Sequence, residues 1–374
     1  MAAMKNVLVT GSEGFIGKNL TEALRCKTEV VTKTFDILDA RAVLNRYLEE
    51  ADIIYHLAGV NRPERLEDYE KVNLGLTSEM IGRLEKMSRR PSIVFSSSIQ
   101  ATLDNPYGVS KKKAEEALCE YAQRTGAQVM IFRLPNVFGK WCRPNYNSVV
   151  ATFCYNAARG LTLDVSDSYK EIELVHVDDV VTAFLRSFEV ATKEGEALFA
   201  TVEPTFRVTL GKLAGLIQEF ATSRQTLRVP DLGVSFVRRL YGTFQSYLSP
   251  KDFAYGLQQR KDERGTLAEL LKGEAFGQLF ISRTGPGITR GNHYHHTKVE
   301  KFVVLEGDAI IRFRHIVSGE IISCSVSGEE FKVVDIPPGW AHNIQNIGTT
   351  ELVVLFWASE VFEPERPDTY ASEV

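Results

Sequence analysis

Hydrophobic and polar positions follow two different rhythms along this chain. Residues 6–10, NVLVT, are apolar and β-branched, as a parallel strand buried on both faces requires. A glycine-punctuated stretch, GSEGFIG, follows, and then KNLTEALR with helical composition. The alternation continues through the strands TEVVTK and ADIIYHLAG, and through a helix, KKAEEALCEYAQRTG, with Gly126 at its end. Strands alternating with helices predict a doubly wound α/β domain. Near residue 250 the rhythm changes. LSPKDFAY reads as a linker, and short strands separated by turns come next: GQLFISR, EKFVVLEG, DAIIRFRHI, EIISCSV, KVVDIPPG and TELVVLFWA. That pattern predicts a β-sandwich or jelly roll of roughly 120 residues. The expected division is 1–249 and 250–374.

Order matters for the glycines. Gly11, Gly14 and Gly17 stand between a strand and a helix, the context in which a glycine triplet binds a dinucleotide pyrophosphate. Gly11 permits the turn, Gly14 admits the phosphates, and Gly17 lets the helix pack on the strand. The helix N-terminus adds free N–H groups and partial positive charge. Lys33 stands near the end of the second strand, where an acid would select NAD. A cation there favours a 2′-phosphate and hence NADPH; the alternative is a solvated surface lysine. Asp36 is read as capping the adenine amino group, and His56 as structural.

Tyr107 and Lys111 are one helical turn apart and share a face. A cation ~4 Å from a phenol is worth roughly 4 kcal/mol at an effective dielectric of about 20. With an oxidised nicotinamide, that would bring Tyr107 close to neutrality. Such a tyrosine exchanges a proton with a sugar oxygen while hydride moves at the adjacent carbon. Ser98, at the preceding strand end, would hold that oxygen. Further on, Asn147 reads as an N-cap and Gly160 as a helix stop, so a helix from Ser148 would offer its N-terminus to a diphosphate. Arg143 and Arg207 are possible phosphate partners, or plain surface residues.

Composition narrows the field. The 374 residues carry 44 basic and 48 acidic side chains, a formal net charge of −4, so there is no electrostatic case for nucleic acid or an acidic membrane surface. No apolar run approaches the ~20 residues of a membrane span. The start lacks the apolar core of a signal peptide. The 5 cysteines form no CxxC and read as reduced thiols, which suits the cytoplasm.

Three of the 7 histidines fall within residues 293–296. On a strand, His293 and His295 share one face and Tyr294 takes the other. Glu300 follows, and His342 lies in PPGWAHNIQN. Three imidazoles and a carboxylate suit a divalent transition metal. His296 and His315 fall outside the set. Asp335 is one option for a base.

The motifs TGSEGFIG, HLAG, SSS, YGVSK, RLPNVFG and VHVDDV resemble the extended short-chain dehydrogenases (SDRs) that act on nucleotide sugars, over residues 4 to 245. The resemblance implies a Rossmann-type domain in which Ser98, Tyr107 and Lys111 are catalytic. It implies cofactor contacts from Gly11, Ser12, Glu13, Gly14, Phe15, Ile16 and Gly17, and from Lys33, Asp36 and Ile37. Leu57, Ala58, Gly59, Pro135 and Val137, with Tyr107 and Lys111, complete that expectation. Asn136, Arg143, Asn147 and Ser148 are the implied substrate contacts. The interval from Ser98 to Tyr107 is short for that family, which opens the site on one side.

The second half resembles both cupin signatures, through Gly287, His293, His295, Glu300 and Gly307 and then Pro337, Gly339, His342 and Asn346. Phe331 replaces the glycine that usually opens the second. The whole chain resembles the bifunctional CapF/WbjC enzymes of capsular polysaccharide synthesis. That likeness implies zinc on His293, His295, Glu300 and His342, and a UDP-sugar substrate. The cupin would invert C3 of a UDP-2-acetamido-2,6-dideoxy-4-hexulose. The SDR domain would then reduce C4 with NADPH, a step towards UDP-N-acetyl-L-fucosamine. A homodimer is expected by analogy. The rival readings are a single-site NAD-dependent epimerase or dehydratase with a passive cupin, a sugar-nucleotide sensor, and an iron oxygenase.

Overall fold

The computed structural model describes residues 4–87, 89–187 and 195–374. Two compact units emerge: residues 1–218 with 239–248, and residues 219–238 with 249–374. The chain thus changes unit three times. The excursion has a backbone cause. Lys272 donates to the carbonyl of Leu227 and accepts from the N–H of Val229, both at 2.8 Å, which ties 227–229 to the second unit.

The first unit begins with β1 (Lys5–Thr10), α1 (Phe15–Arg25), β2 (Val30–Phe35), α2 (Arg41–Glu50) and β3 (Ile53–His56). It continues with α3 (Gly75–Leu84), β4 (Ser92–Ser98), α4 (Pro106–Thr125), β5 (Val129–Leu134), β6 (Asn136–Phe138), α5 (Val149–Ala157), β7 (Glu171–His176), α6 (Val177–Arg186), β8 (Ala197–Ala200) and β9 (Thr205–Thr209). The main sheet runs β2-β1-β3-β4-β5-β8, every pair parallel. Alternation along the strands feeds two cores. Leu8, Ile54 and Phe95 face α2, α3 and α4, whereas Val7, Val9 and Tyr55 face α1 and α6. Each fully buried side chain of this size contributes about 1.5–3 kcal/mol. Strands apolar on both faces pack only between two helical layers, which is the α/β architecture expected. A small sheet, β6-β7-β9, lies at its side. Beyond it, α7 (Leu210–Thr226) and α8 (Ser235–Gln245) each span a change of unit.

The second unit holds β10 (Gln259–Asp262), β11 (Gly265–Gly273), β12 (Gly277–Thr284), β13 (Thr289–Tyr294), β14 (Glu300–Glu306) and β15 (Asp308–His315). It ends with β16 (Ile321–Ser327), β17 (Val333–Ile336), β18 (Trp340–Asn346), β19 (Leu352–Ala358) and β20 (Tyr370–Ala371). They form two antiparallel sheets, β10-β11-β12-β19-β14-β17 and β16-β15-β18-β13-β20. Phe302, Ile311, Phe313, Ile344 and Phe356 are among the residues of its core. This is the all-β, cupin-like half. The sequence pattern did not mark β10, β11, β18 or β20. The strand β11, GTLAELLKG, is made of good helix formers, yet pairing on both sides with β10 and β12 overrides that preference.

A buried ion pair braces the first unit beneath α4. Glu115 is 2% exposed, and Arg133 on β5 grips its carboxylate with Nε at 3.0 Å and Nη2 at 2.6 Å. The Ser97 hydroxyl donates to the same carboxylate. Arg133→Ala would strand that charge. We expect a loss of roughly 2–3 kcal/mol, less than the ~3–5 of a fully buried pair because the guanidinium is partly solvated. A lower urea midpoint for the N-terminal unit at unchanged slope is the readout.

Candidate active sites

Gly11 turns the chain at φ +71° and α1 begins with Gly14 as its N-cap. No side chain caps that end and its first turn carries no acid, so its backbone donors stay available to an anion. A Cβ on Gly17 would lie 2.1 Å from the Gly11 carbonyl oxygen, so only glycine lets the helix sit this close to the loop. The N–H of Glu13 donates to Asp36 Oδ2 at 2.7 Å and that of Ile37 to Asp36 Oδ1 at 2.8 Å.

A cleft of about 650 Å³ opens at the carboxyl ends of the strands. Every cofactor and substrate residue named from the sequence lines it except Ser12, Lys33, Asp36, Ile37, Ala58 and Arg207. Lys33 lies inside β2, two residues before its end, with its amine 5.7 Å from the Tyr47 ring centre. Asp36, immediately after the strand, holds the position the sequence reading gave to Lys33, and its carboxylate serves the glycine loop. Ile37 is 85% exposed. Ser12 is buried, and the Ala58 N–H donates to Thr10 Oγ1 at 3.4 Å. His56 is structural: its ring bridges Thr10 and Thr77 at 2.8 and 2.9 Å, and burial pushes its pKa down to about 3.

Asn105 caps α4 by accepting the Gly108 N–H at 2.8 Å, and Pro106 opens the helix. Tyr107 therefore sits in the first turn and Lys111 one turn later. The short loop after Ser98 packs directly on this turn. A Cβ on Gly108 would fall 2.1 Å from the Gln100 carbonyl oxygen, so the trimmed loop makes that glycine obligatory. Ser98 hydrogen-bonds the Tyr107 phenol and also accepts the Gln100 N–H at 3.1 Å. Burial pushes the phenol up to about 12, against the Ser98 bond and with Tyr69 adding to the rise. Burial pushes Lys111 down to about 8, with Glu115 opposing. Its amine donates to the Ser96 carbonyl at 2.9 Å. Without a bound nicotinamide, burial dominates and the phenol stays protonated. A protonated phenol is the form that gives a proton to a ketone oxygen.

On the substrate side, Ser148 rather than Asn147 caps α5, accepting the Ala151 N–H at 3.3 Å. Asn147 lines the cleft all the same. Gly160, at φ +67°, follows the last turn as expected. Arg143 lines the cleft over the Tyr146 ring, 5.3 Å from its centre. Arg207 is exposed on β9 and is not part of the lining. Among the lining residues that the sequence reading missed are Gln100 and Trp141. Trp141 is half-exposed at φ +68°, in a loop with no periodicity to betray it.

The second unit gathers His293, His295, Glu300 and His342 with their ligand atoms all within 4.8 Å of one another. His293 on β13 faces His342 on β18 across the ladder, where the register slips at Asn292, itself at φ +60°. His295 Nδ1 lies 2.5 Å from the Asp368 carbonyl and His342 Nδ1 3.2 Å from that of Trp340. Carbonyls only accept, so both rings carry their proton on Nδ1 and turn the Nε2 lone pair inward. Each Nε2 is buried without a hydrogen-bond partner, yet 3.3 Å from Glu300 Oε2. Burial would raise the Glu300 carboxyl; once these rings also take a proton at Nε2, their hydrogen bonds and charge outweigh burial and hold it at about 2. Burial first, and then His342, lowers His293 to about 4. Lone pairs aimed at a common point with no donor facing them fit a cation bound at ~2.0–2.2 Å per ligand.

Tyr294 points away, its ring 5.2 Å from that of His296 and 5.3 Å from that of Tyr370. His315 bonds Ser318 at the surface. Asp335 is paired with Lys301 on the face opposite Glu300, so it is not placed to act as the base. The sequence reading missed Asp368, which accepts the N–H groups of His296, Thr297 and Lys298, each at 2.9 Å. No spacing rule links it to a ligand 73 residues upstream.

Comparison with known proteins agrees with both halves. Residues 7–198 match the NAD dependent epimerase/dehydratase family, and residues 260–370 match the Polysaccharide biosynthesis C-terminal domain. A relative from Pseudomonas aeruginosa, UDP-2-acetamido-2,6-beta-L-arabino-hexul-4-ose reductase, is 42% identical over 368 residues, 98% of each chain. The solved structure of the capsular polysaccharide assembling protein CapF from Staphylococcus aureus superposes with a TM-score of 0.90 at 44% identity, covering 99% of this chain and 100% of that one. The UDP-glucuronic acid 4-epimerase of Bacillus cereus, solved with NAD, matches 65% of this chain and 98% of its own, with TM-score 0.55 and 16% identity, a likeness of fold. The chain belongs to the NAD dependent epimerase/dehydratase family, and within it to the CapF-type enzymes that carry a polysaccharide biosynthesis C-terminal domain.

Proposed function

We propose that the chain is a two-centre enzyme of UDP-N-acetyl-L-fucosamine biosynthesis. Its cupin unit inverts C3 of UDP-2-acetamido-2,6-dideoxy-4-hexulose. Its Rossmann-type unit then reduces the C4 ketone with NADPH to UDP-2-acetamido-2,6-dideoxy-β-L-talose. The observation that carries this reading is the pairing, in one chain, of a protonated Tyr107 beside Ser98 with a histidine–carboxylate set whose buried Nε2 atoms lack partners. The reading includes zinc on His293, His295, Glu300 and His342, a homodimer, and a cytoplasmic location. Among the described residues no helix is long and apolar enough to cross a membrane.

When bound, the dinucleotide supplies hydride and the divalent ion supplies Lewis acidity towards a ketone oxygen. The residues do the rest. The uncapped start of α1 takes the pyrophosphate. Ser98 orients the C4 oxygen, Tyr107 gives it a proton, and Lys111 supports the charge left on the phenol. In the cupin unit, the carbonyls of Asp368 and Trp340 fix two imidazoles so that neither ring turns. Inversion at C3 needs loss of its proton and return on the opposite face, which an adjacent polarised ketone permits. The NADPH preference is supported by Asp36, whose two oxygens each accept a loop N–H instead of standing free to repel a 2′-phosphate, and by Arg41 lying 5.9 Å from the Phe35 ring centre.

Tyr107→Phe is expected to lower NADPH oxidation at least 100-fold yet leave deuterium exchange at C3 intact. His295→Ala should abolish that exchange while a ketone already inverted at C3 is still reduced. Joint loss of both activities in either variant would contradict the division of labour. Reduction should also fall as pH rises through about 8: Lys111 is charged below that value and neutral above it, while Tyr107 keeps its proton. A rate that climbs through pH 8 would exclude this assignment. Finally, kcat/KM should favour NADPH over NADH by at least tenfold, and Arg41→Ala should narrow that gap.

A further inference from the structure

Residues 295–299 join β13 to β14 and contain one metal-ligand candidate, His295, in a segment outside both strands. Its three successive backbone donors, on His296, Thr297 and Lys298, converge on one carboxylate, that of Asp368. The Thr297 hydroxyl adds a fourth bond to the same group at 2.9 Å. Converging N–H groups of this kind form an anion nest, here filled by the chain's own side chain. The backbone carbonyl of Asp368 turns the other way and accepts His295 Nδ1 at 2.5 Å. One residue therefore holds both the loop and the ring. The geometry is demanding, since Asp368 takes it up at φ +39°.

The surrounding tail reinforces the placement. Lys298, 4% exposed, donates its amine to the Pro367 carbonyl at 2.7 Å. The strand β20 pairs with β13, setting His293 opposite Ala371 and Tyr294 opposite Tyr370. The Ser372 N–H reaches the Asn292 carbonyl at 2.9 Å, and Arg314 ties down Ser372 Oγ at 2.7 Å. The last residues of the chain thus form a strap across the segment that carries two of the four ligand candidates.

We propose that Asp368 is a positioning residue for the metal centre: its carbonyl sets the tautomer and angle of His295, its carboxylate locks the 296–298 loop, and together they govern how tightly the ion is held and how slowly it leaves. This rests on the reading of the four residues as a metal site. Partners of this kind behind a ligating histidine typically change metal affinity by about 10–100-fold when removed.

The test uses the full-length chain. Zinc affinity is measured by competition with a chromogenic chelator, and release is timed after chelator addition, for wild type, Asp368→Ala, Asp368→Asn and Arg314→Ala. Thermal unfolding in excess chelator reports fold stability apart from metal. Asp368→Ala should bind zinc roughly 10–100-fold more weakly and release it faster. Both variants keep the backbone carbonyl; Asp368→Asn also keeps one side-chain oxygen for the 296–298 loop, so it should lie between, and it decides the matter should the alanine variant not fold. Arg314→Ala loosens only the far end of the strap and should bind like wild type. In metal-free protein, the His295 Nδ1–H resonance in a histidine-selective ¹⁵N spectrum should be present in wild type and lost in Asp368→Ala. Wild-type affinity and release in both Asp368 variants would overturn the proposal. Loss of thermal stability without any change in zinc binding would do the same, by reducing Asp368 to a fold contact. A wild type that binds no zinc would instead defeat the metal reading, and this inference with it.

Discussion

Two imidazole lone pairs and a carboxylate share one buried space in the second unit, 3.3 Å apart and without a hydrogen bond between them. Buried acceptors left facing each other are costly, because each has given up water for no donor. A protein keeps such an arrangement when something else supplies the missing positive charge. The β-strand architecture serves that demand. The slip at Asn292 sets His293 against His342, the start of β14 supplies Glu300, and the tail returns with Asp368 to hold the remaining ring.

Desolvation governs the first unit as well, with the opposite chemical result. There it tightens the hold on one proton and weakens the hold on another. The Tyr107 phenol is kept protonated and the Lys111 amine is brought within reach of neutral pH. Behind them lies the Glu115–Arg133 pair, and the packing of a clipped loop against Gly108 fixes where α4 begins. The turn that carries Tyr107 thus has a backbone contact on one side and a buried charge pair on the other. The Glu115–Arg133 pair itself lies outside the cleft lining, whereas Gln100, against which Gly108 packs, is part of it.

What the sequence made legible was local. A strand, three glycines and a helix follow one another without interruption, so their geometry is covalently close. Tyr107 and Lys111 needed only helical spacing, and the HxH–glutamate cluster only strand alternation. Placement that depends on distant partners was not legible. Lys33 read as the strand end because its neighbours gave no stop signal, yet pairing with β1 extends β2 to Phe35 and leaves Asp36 at the edge. Ser148 displaced Asn147 as a cap because both are good capping residues and only the fold chooses between them. Strand β11 is invisible to propensity, and Asp368 to any motif, since each acquires its role from residues far away along the chain.

The two halves become one enzyme only if the second unit prepares what the first consumes. The most direct measurement follows the C3 proton of the UDP-4-ketosugar by NMR in deuterium oxide, with NADPH withheld, before and after metal is stripped from the wild-type chain. Two centres with separate duties predict rapid washout at C3 that stops on metal removal and returns with zinc, while reduction of a ketone already inverted at C3 persists throughout. Washout that continues unchanged in the metal-stripped chain would contradict that division and leave the cupin half without a catalytic part.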